Sequence, residues 1–407
     1  MKKYIILSIL LSFFSTSFYA QKEYRQIKRY IKQGGGDLDK AMNAIKEAEK
    51  NEERKTEAEL YSFAVSAQQR MNDIENEKMY LKQTYDTVRF FSSIYNVFQY
   101  AQKCDSLESI SGKNGKVRFR YRSKHRSLLK IYYPNVLNAG LFFLKKKNYA
   151  EADKYFVLLL NADSIALLNH GVQSPLTVTS SRVAYWSVLS RFNLKNYQTA
   201  LQYAPIAEAD TSVRCQTLEL EAKTYKELKK PEKYVETLIL GIRQYYQYPF
   251  FYPRLIDFYN SNSEYKKSLA LTDSMLKMDS VNILYRYAKS VVLMHLKQYR
   301  ESMDYSKAII AQDSTYADAY FNVGLCACNQ AADAENLLSP TVSPRKYRQE
   351  KLQIHEYYKE AKPYVEQYRV LAPQEQAKWA PLLYRIYLSL NLGKQFDEID
   401  MLLKGKK

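Results

Sequence analysis

Four histidines, four cysteines and 43 aspartates and glutamates are the groups of this chain that could carry acid–base, nucleophilic or metal chemistry. His125, His170, His295 and His355 stand far apart, with neither an HExxH pattern nor the Cys/His spacing of a zinc site. No G-x-S-x-G elbow, Walker loop or dinucleotide fingerprint occurs. Cys326 and Cys328 lie two residues apart, so on a helix they point to different faces and cannot bridge. Cys104 and Cys215 fall in different parts of the chain, and the expectation for all four is a buried free thiol. The reading is a protein that is not an enzyme, with no catalytic residue, no metal and no cofactor.

Two other sets of side chains could bind something. One is a basic stretch from Ser109 to Lys130, with no acid after Glu108. It carries Lys113, Lys116, Arg118, Arg120, Arg122, Lys124, Arg126 and Lys130, with Phe119 and Tyr121 among the arginines. Such a mixture suits phosphate contact and stacking. The other set is the tyrosines, 38 in 407 residues, which combine contact area with a hydroxyl. The formal charge of +18 attracts polyanions and anionic surfaces without specifying a fold.

The elements that position these residues read as helices. Only 11 Gly and 11 Pro punctuate the chain, and strand-like alternation is nearly absent. Met1-Lys2-Lys3 followed by apolar Tyr4 to Phe14 and a small, polar Ser15 to Ala20 has the layout of an export signal, residues 1–20, cleaved before Gln21. The mature chain is then expected to be soluble outside the cytoplasm, periplasmic or associated with the cell envelope. A first helix pair is expected over Glu23 to Gln33 and Asp37 to Lys50, broken by Gly34-Gly35-Gly36. A second is expected over Lys55 to Met71 and Thr84 to Cys104, with Val88, Phe91, Tyr95 and Phe98 as one core stripe. The basic stretch reads as a loop entering a helix near Arg126.

Beyond Tyr132 a period appears. Ala200, Tyr234, Ser268 and Ser302 follow one another at steps of 34, and Glu264-Tyr265-Lys266-Lys267-Ser268 is nearly copied by Gln298-Tyr299-Arg300-Glu301-Ser302. Asn148-Tyr149-Ala150-Glu151-Ala152 and Asn196-Tyr197-Gln198-Thr199-Ala200 are related segments set 48 apart, which places an inserted loop near 165–180. The step from Ser302 to Ala361 implies a second insertion, near 329–353, partly irregular where Ser339-Pro340 and Ser343-Pro344 fall. Small residues allow close helix approach: Gly140, Ala222, Ser290 and Gly324 in first helices, Ala152, Ala200, Ser268, Ser302 and Ala361 in second helices. Asp163-Ser164, Asp279-Ser280 and Asp313-Ser314 are expected to cap the helices that follow. A last pair is expected from Ala377 to Leu403.

A 34-residue step with small and aromatic residues at these points resembles the tetratricopeptide (TPR) repeat, most clearly over Tyr132 to Pro373. Glu77 to Val88 and Leu383 to Leu388 also resemble segments of exported Gram-negative TPR proteins of unassigned function. The resemblance implies an all-α, right-handed superhelical solenoid of about seven to eight helix pairs. It divides the chain into the signal (1–20), divergent N-terminal pairs (21–108), the basic loop and helix start (109–130), and a TPR solenoid with C-terminal capping helices (131–407).

Functionally the resemblance implies a scaffold or adaptor that binds a protein or peptide in a concave, tyrosine-rich groove. By that resemblance the groove candidates are Tyr185, Leu189, Phe192, Lys223, Asp257, Asn260, Tyr287, Met294 and Phe321. The equivalent fifth positions, Leu137, Tyr185, Glu219, Pro253, Tyr287 and Phe321, hold no Lys, so a carboxylate clamp of the family type is not expected. Two alternatives stay open: binding of an anionic envelope polysaccharide or membrane surface through 113–130, and glycan capture. Export disfavours nucleic acid as a partner.

Overall fold

The computed structural model describes residues 22–110, 117–168, 178–339 and 343–405, and the described residues are helical with turns and short 3-10 segments between the helices. The signal segment therefore lies outside the described residues, as do Lys113, Lys116 and His170. Among the described residues no helix is long and apolar enough to cross a membrane. The chain divides into two compact units, Met1–Tyr245 and Tyr246–Lys407.

In the first unit, α1 spans residues 22–33 and α2 spans Asp37–Ala48. Gly34 and Gly35 between them have φ of 71° and 55°, a conformation that side chains with a Cβ rarely adopt. Then come α3 (Ala58–Tyr80), α4 (Thr87–Ile110), α5 (Arg122–Lys145), α6 (Tyr149–Leu160) and α7 (Ser180–Asn193). The second helix of the next pair is broken into α8 (Tyr197–Ala200) and α9 (Ala204–Ala207), with a 3-10 turn between them and Pro205 in the first turn of α9. Proline supplies no N–H to continue the preceding helix, so α8 ends before it. The unit closes with α10 (Thr211–Glu227) and α11 (Pro231–Gln244).

The second unit holds α12 (Phe251–Ser261), α13 (Tyr265–Met278), α14 (Ile283–His295), α15 (Tyr299–Gln312), α16 (Ala317–Leu337), α17 (Pro344–Leu371), α18 (Gln376–Ser389) and α19 (Gly393–Lys404). In each unit consecutive helices pack on one another, and first helices also touch the next first helix, as α7 touches α10 and α14 touches α16. No pair buries its apolar face alone, so stacking of neighbours makes the core. The small residues sit where expected. A Cβ on Gly140 would come within 2.5 Å of the Phe156 ring, and one on Gly324 would strike Val365.

The pairs are closed by one recurring turn. Lys147, Lys195, Lys229, Ser263 and Lys297 all have φ near +55 to +60°, the last four at steps of 34. At each, two N–H groups reach back to orphan carbonyls of the first helix. Lys229 and Lys230 donate to Lys226 and Tyr225, and Lys297 and Gln298 donate to Met294 and Leu293. This is the Schellman arrangement, which satisfies the last carbonyls of a helix and reverses the chain. Lys82 and Asn391 close α3 and α18 in the same way.

Four expectations change. Val88 is 54% exposed, and the core face of α4 runs instead through Phe90, Phe91, Ile94, Val97, Phe98 and Ala101; at about 100° per residue Val88 falls well off the centre of that face. The basic stretch enters its helix at Arg122 and not near Arg126. The insertion near 329–353 is mostly helical: it lengthens α16 to Leu337 and starts α17 at Pro344. The Asp-Ser pairs do not cap. Asp279 accepts from the N–H of Val281 while Asn282 caps α14 through the N–H groups of Leu284 and Tyr285. Asp313 binds the N–H and hydroxyl of Thr315. Asp163 sits exposed in a 3-10 turn. All four cysteines are free, with Cys215 half-buried and the other three buried, and burial raises the Cys104 and Cys328 thiols to about 12.

Candidate binding surfaces

The groove candidates fall in both units. In the first, Tyr185, Leu189 and Phe192 lie along α7, half-buried against the small core of Ala184, Val188, Tyr203 and Ala204. Burial, then the nearby Glu219 carboxylate, raises the Tyr185 hydroxyl above its ordinary value. Lys223 is ion-paired with Glu219 one turn away on α10. These residues form a face of mixed apolar and charged character, and much of its aromatic area is already spent on packing.

In the second unit the candidates separate. Asp257 is exposed on α12. Asn260 is used inside its own pair, its Oδ1 accepting from Ser268 Oγ at 2.7 Å. Met294 packs at the edge of the α15–α18 core. Tyr287 and Phe321 are brought into one aromatic neighbourhood. The Tyr287 ring lies 5.5 Å from that of Tyr316, and the Phe321 ring 4.9 Å from that of Tyr368. Burial raises the Tyr287 hydroxyl, followed by the charges of Asp318, Tyr316 and Tyr368. The hydroxyl therefore stays protonated.

Beside these rings opens a pocket of about 500 Å³ whose lining includes Tyr316, Asp318, Tyr368, Ala372, Glu375 and Lys378. Lys378 pairs with Glu375 at 2.9 Å, while Asp313, also in the lining, is held as a carboxylate below its usual range by Thr315. Acid oxygens around tyrosine faces suit a peptide strand carrying a cationic side chain, through ion pairing and contact over the ring. Sequence reasoning named Tyr287 and Phe321 but missed Tyr316, Asp318, Tyr368 and Lys378. Tyr316 and Asp318 follow directly on the Asp313-Ser314 motif, and that adjacency was the available signal.

The basic stretch is partly consumed by the fold. Glu108, at the end of α4, accepts the N–H of Arg120 at 2.6 Å and that of Tyr121 at 3.2 Å, and so anchors the entry to α5. Arg122 makes a two-pronged pair with Asp105, at 2.6 and 2.7 Å, and its guanidinium lies 3.1 Å from the centre of the Phe119 ring. Arg126 donates to the Leu167 carbonyl. His125 is buried and lowered to about 4 by that burial, then by Lys124, so it is neutral near pH 7. Of the described basic side chains, Arg118, Arg120, Lys124 and Lys130 remain exposed. Among the described residues no group of three or more His, Cys, Asp or Glu could hold a metal ion.

The recurrence at 34 residues, the small-residue contacts and the common turn decide the repeat type. The helix pairs are tetratricopeptide repeats. No family model matches the chain, and no curated protein sequence matches it. Among solved structures, the chain is similar to the C-terminal part of a TPR repeat-containing protein from Cytophaga hutchinsonii (12% identity, 65% of this chain and 92% of that one, TM-score 0.43). It is also similar to a TPR protein from Bacteroides fragilis (18%, 66% and 98%, 0.30) and to one from Parabacteroides merdae (14%, 64% and 98%, 0.35).

Proposed function

We propose that this TPR chain is a non-catalytic scaffold of the cell envelope that holds a segment of a partner protein on its tyrosine-rich first-helix surface. The observation that carries the reading is the aromatic neighbourhood of Tyr287, Tyr316, Phe321 and Tyr368 beside a pocket edged by Asp313, Asp318 and Glu375. Ring faces supply contact area at small entropic cost, and the carboxylates select a cationic side chain. The charged, apolar layout of residues 1–14 supports export.

Asp318 is exposed, so Asp318→Lys reverses the charge at the pocket without disturbing packing. Affinity capture from an envelope extract with the parent chain is expected to recover a defined protein, and Asp318→Lys to lose it. Equal recovery by both chains, or nothing above background with the parent, would overturn the site. Sequencing the N-terminus of the protein recovered from the periplasmic fraction checks export, with Gln21 as the expected first residue.

A further inference from the structure

The turns added to α16 and α17 build a second, larger cleft of about 960 Å³ that the proposed peptide site does not touch. Leu338, Ile354 and Tyr358 contribute apolar surface, and Leu352 on the same wall is 62% exposed. Arg348, Lys351 and His355 line the cleft as well, with the Lys351 ammonium 5.4 Å over the Tyr347 ring.

The charges are unbalanced. Glu335 is the one acid in the described lining, and Arg385 holds it at 2.5 Å. Along the first turns of α17, Lys346 lies 3.8 Å from Glu350, while Arg345, Arg348 and Lys351 have no acidic partner within 4 Å among the described residues. Cations left without an acidic partner beside solvent-exposed aliphatic surface are complementary to a ligand that is both anionic and apolar. We propose that this cleft docks an acidic segment of a partner protein, one large apolar side chain entering between Leu338 and Ile354 with carboxylates on either side paired to Arg348 and Lys351. The combination of apolar pocket and paired cations favours such a segment over a membrane surface, which needs charge but no single socket.

The experiment selects a random dodecapeptide display library on the full chain, in parallel with the Arg348→Glu/Lys351→Glu double variant. Both residues are exposed, and circular dichroism verifies that the variant folds. The expected result is enrichment of sequences with a central Leu, Ile or Phe flanked by Asp or Glu. An enriched peptide should bind the double variant at least about tenfold more weakly, and its affinity should fall as salt rises. The same peptide should bind Asp318→Lys unchanged, which separates this cleft from the tyrosine site. A pool with no acidic bias, or one that binds the double variant equally, overturns the proposal. Loss of binding to phosphatidylglycerol vesicles in the double variant, with no peptide enrichment, also overturns it and assigns the cations to a lipid surface.

Discussion

Both units bury hydroxyls and amides, but among the described residues only the first also buries charge. The first buries charge: Glu75, Asp105, Glu108, Arg191 and Glu221 are all withdrawn from solvent. The second buries hydroxyls and one amide, in Ser268, Thr272, Ser290, Ser302, Ser306 and Asn322. In the second unit the turns at Ser263 and Lys297 keep the 34-residue step, so successive helix contacts are alike and a small hydroxyl fits each of them. Ser302 Oγ donates to the Ser290 carbonyl at 2.6 Å, and Asn322 Nδ2 donates to Ser302 and Ser306. In the first unit the step is interrupted, and long charged side chains reach the backbone groups left over. Arg191 donates to the Thr199 carbonyl at the break between α8 and α9. Arg126 donates to Leu167 at the end of the described stretch before α7, and Glu108 accepts from the entry to α5. In the first unit, charged side chains thus hold the backbone at joints that regular helix pairing leaves open, whereas buried Glu221 lies within the regular 34-residue step.

The largest test of that contrast is a matched pair of truncations. Asp105→Ala strands Arg122 and is expected to cost about 3 kcal/mol, at the lower end for a broken buried pair because Arg122 keeps partial access to water. Ser302→Ala removes the bond to the Ser290 carbonyl and the one accepted from Asn322, but Asn322 keeps its bond to Ser306, so the expected cost is about 1.5 kcal/mol. Urea unfolding of the two variants measures both. Equal costs would erase the distinction between the units.

Glu221 sharpens it through pH. Burial, reinforced by Glu208, pushes its carboxyl up to about 8. The native chain therefore holds this proton up to about pH 8, whereas an unfolded glutamate releases it near its ordinary value of about 4.5. Between those values the unfolded state binds fewer protons, so this residue makes stability fall as pH rises. Below pH 4.5 both states are protonated and the effect is absent. Glu221→Gln is expected to flatten that window and to raise stability at pH 9 by roughly 2 kcal/mol relative to the parent, after allowance for the desolvation of the amide. Parallel stability–pH curves for parent and variant would show that Glu221 does not carry the dependence.

The sequence made the repeat legible wherever its contacts are made by residue size. Ala200, Ser268, Ser302 and Ala361 are buried at the helix contacts, as their spacing implies. It hid what depends on which face of a helix its neighbours cover. Val88 shares a stripe with Phe91 and Phe98, but the covered face of α4 is centred on Ile94 and Ala101 and leaves Val88 exposed. The α16–α17 insertion read as irregular because Ser339-Pro340 and Ser343-Pro344 are turn signals, yet Ser343 caps α17 and Pro344 occupies its first turn, so the same residues start a helix. The tyrosine site was half visible: Tyr287 and Phe321 follow the period, but Tyr368 and Lys378 reach it from farther along the chain, which no local pattern encodes.

The turn is what the two units share, and it predicts a small effect of equal size in both. Lys229 in the first unit and Ser263 in the second hold φ of 54° and 57° with exposed side chains. A Cβ in the left-handed region crowds the backbone, and glycine removes that crowding at the position where helices most often place it. Lys229→Gly and Ser263→Gly should therefore each gain about 1 kcal/mol, less whatever glycine's extra freedom adds to the unfolded chain. Lys229→Val should lose more than that, because branching at Cβ worsens the same contact. If the glycine variants unfold at the parent's midpoint, the left-handed turn is not a cost common to both units. A gain in one unit alone would place the difference between them in the turns as well as in the buried groups.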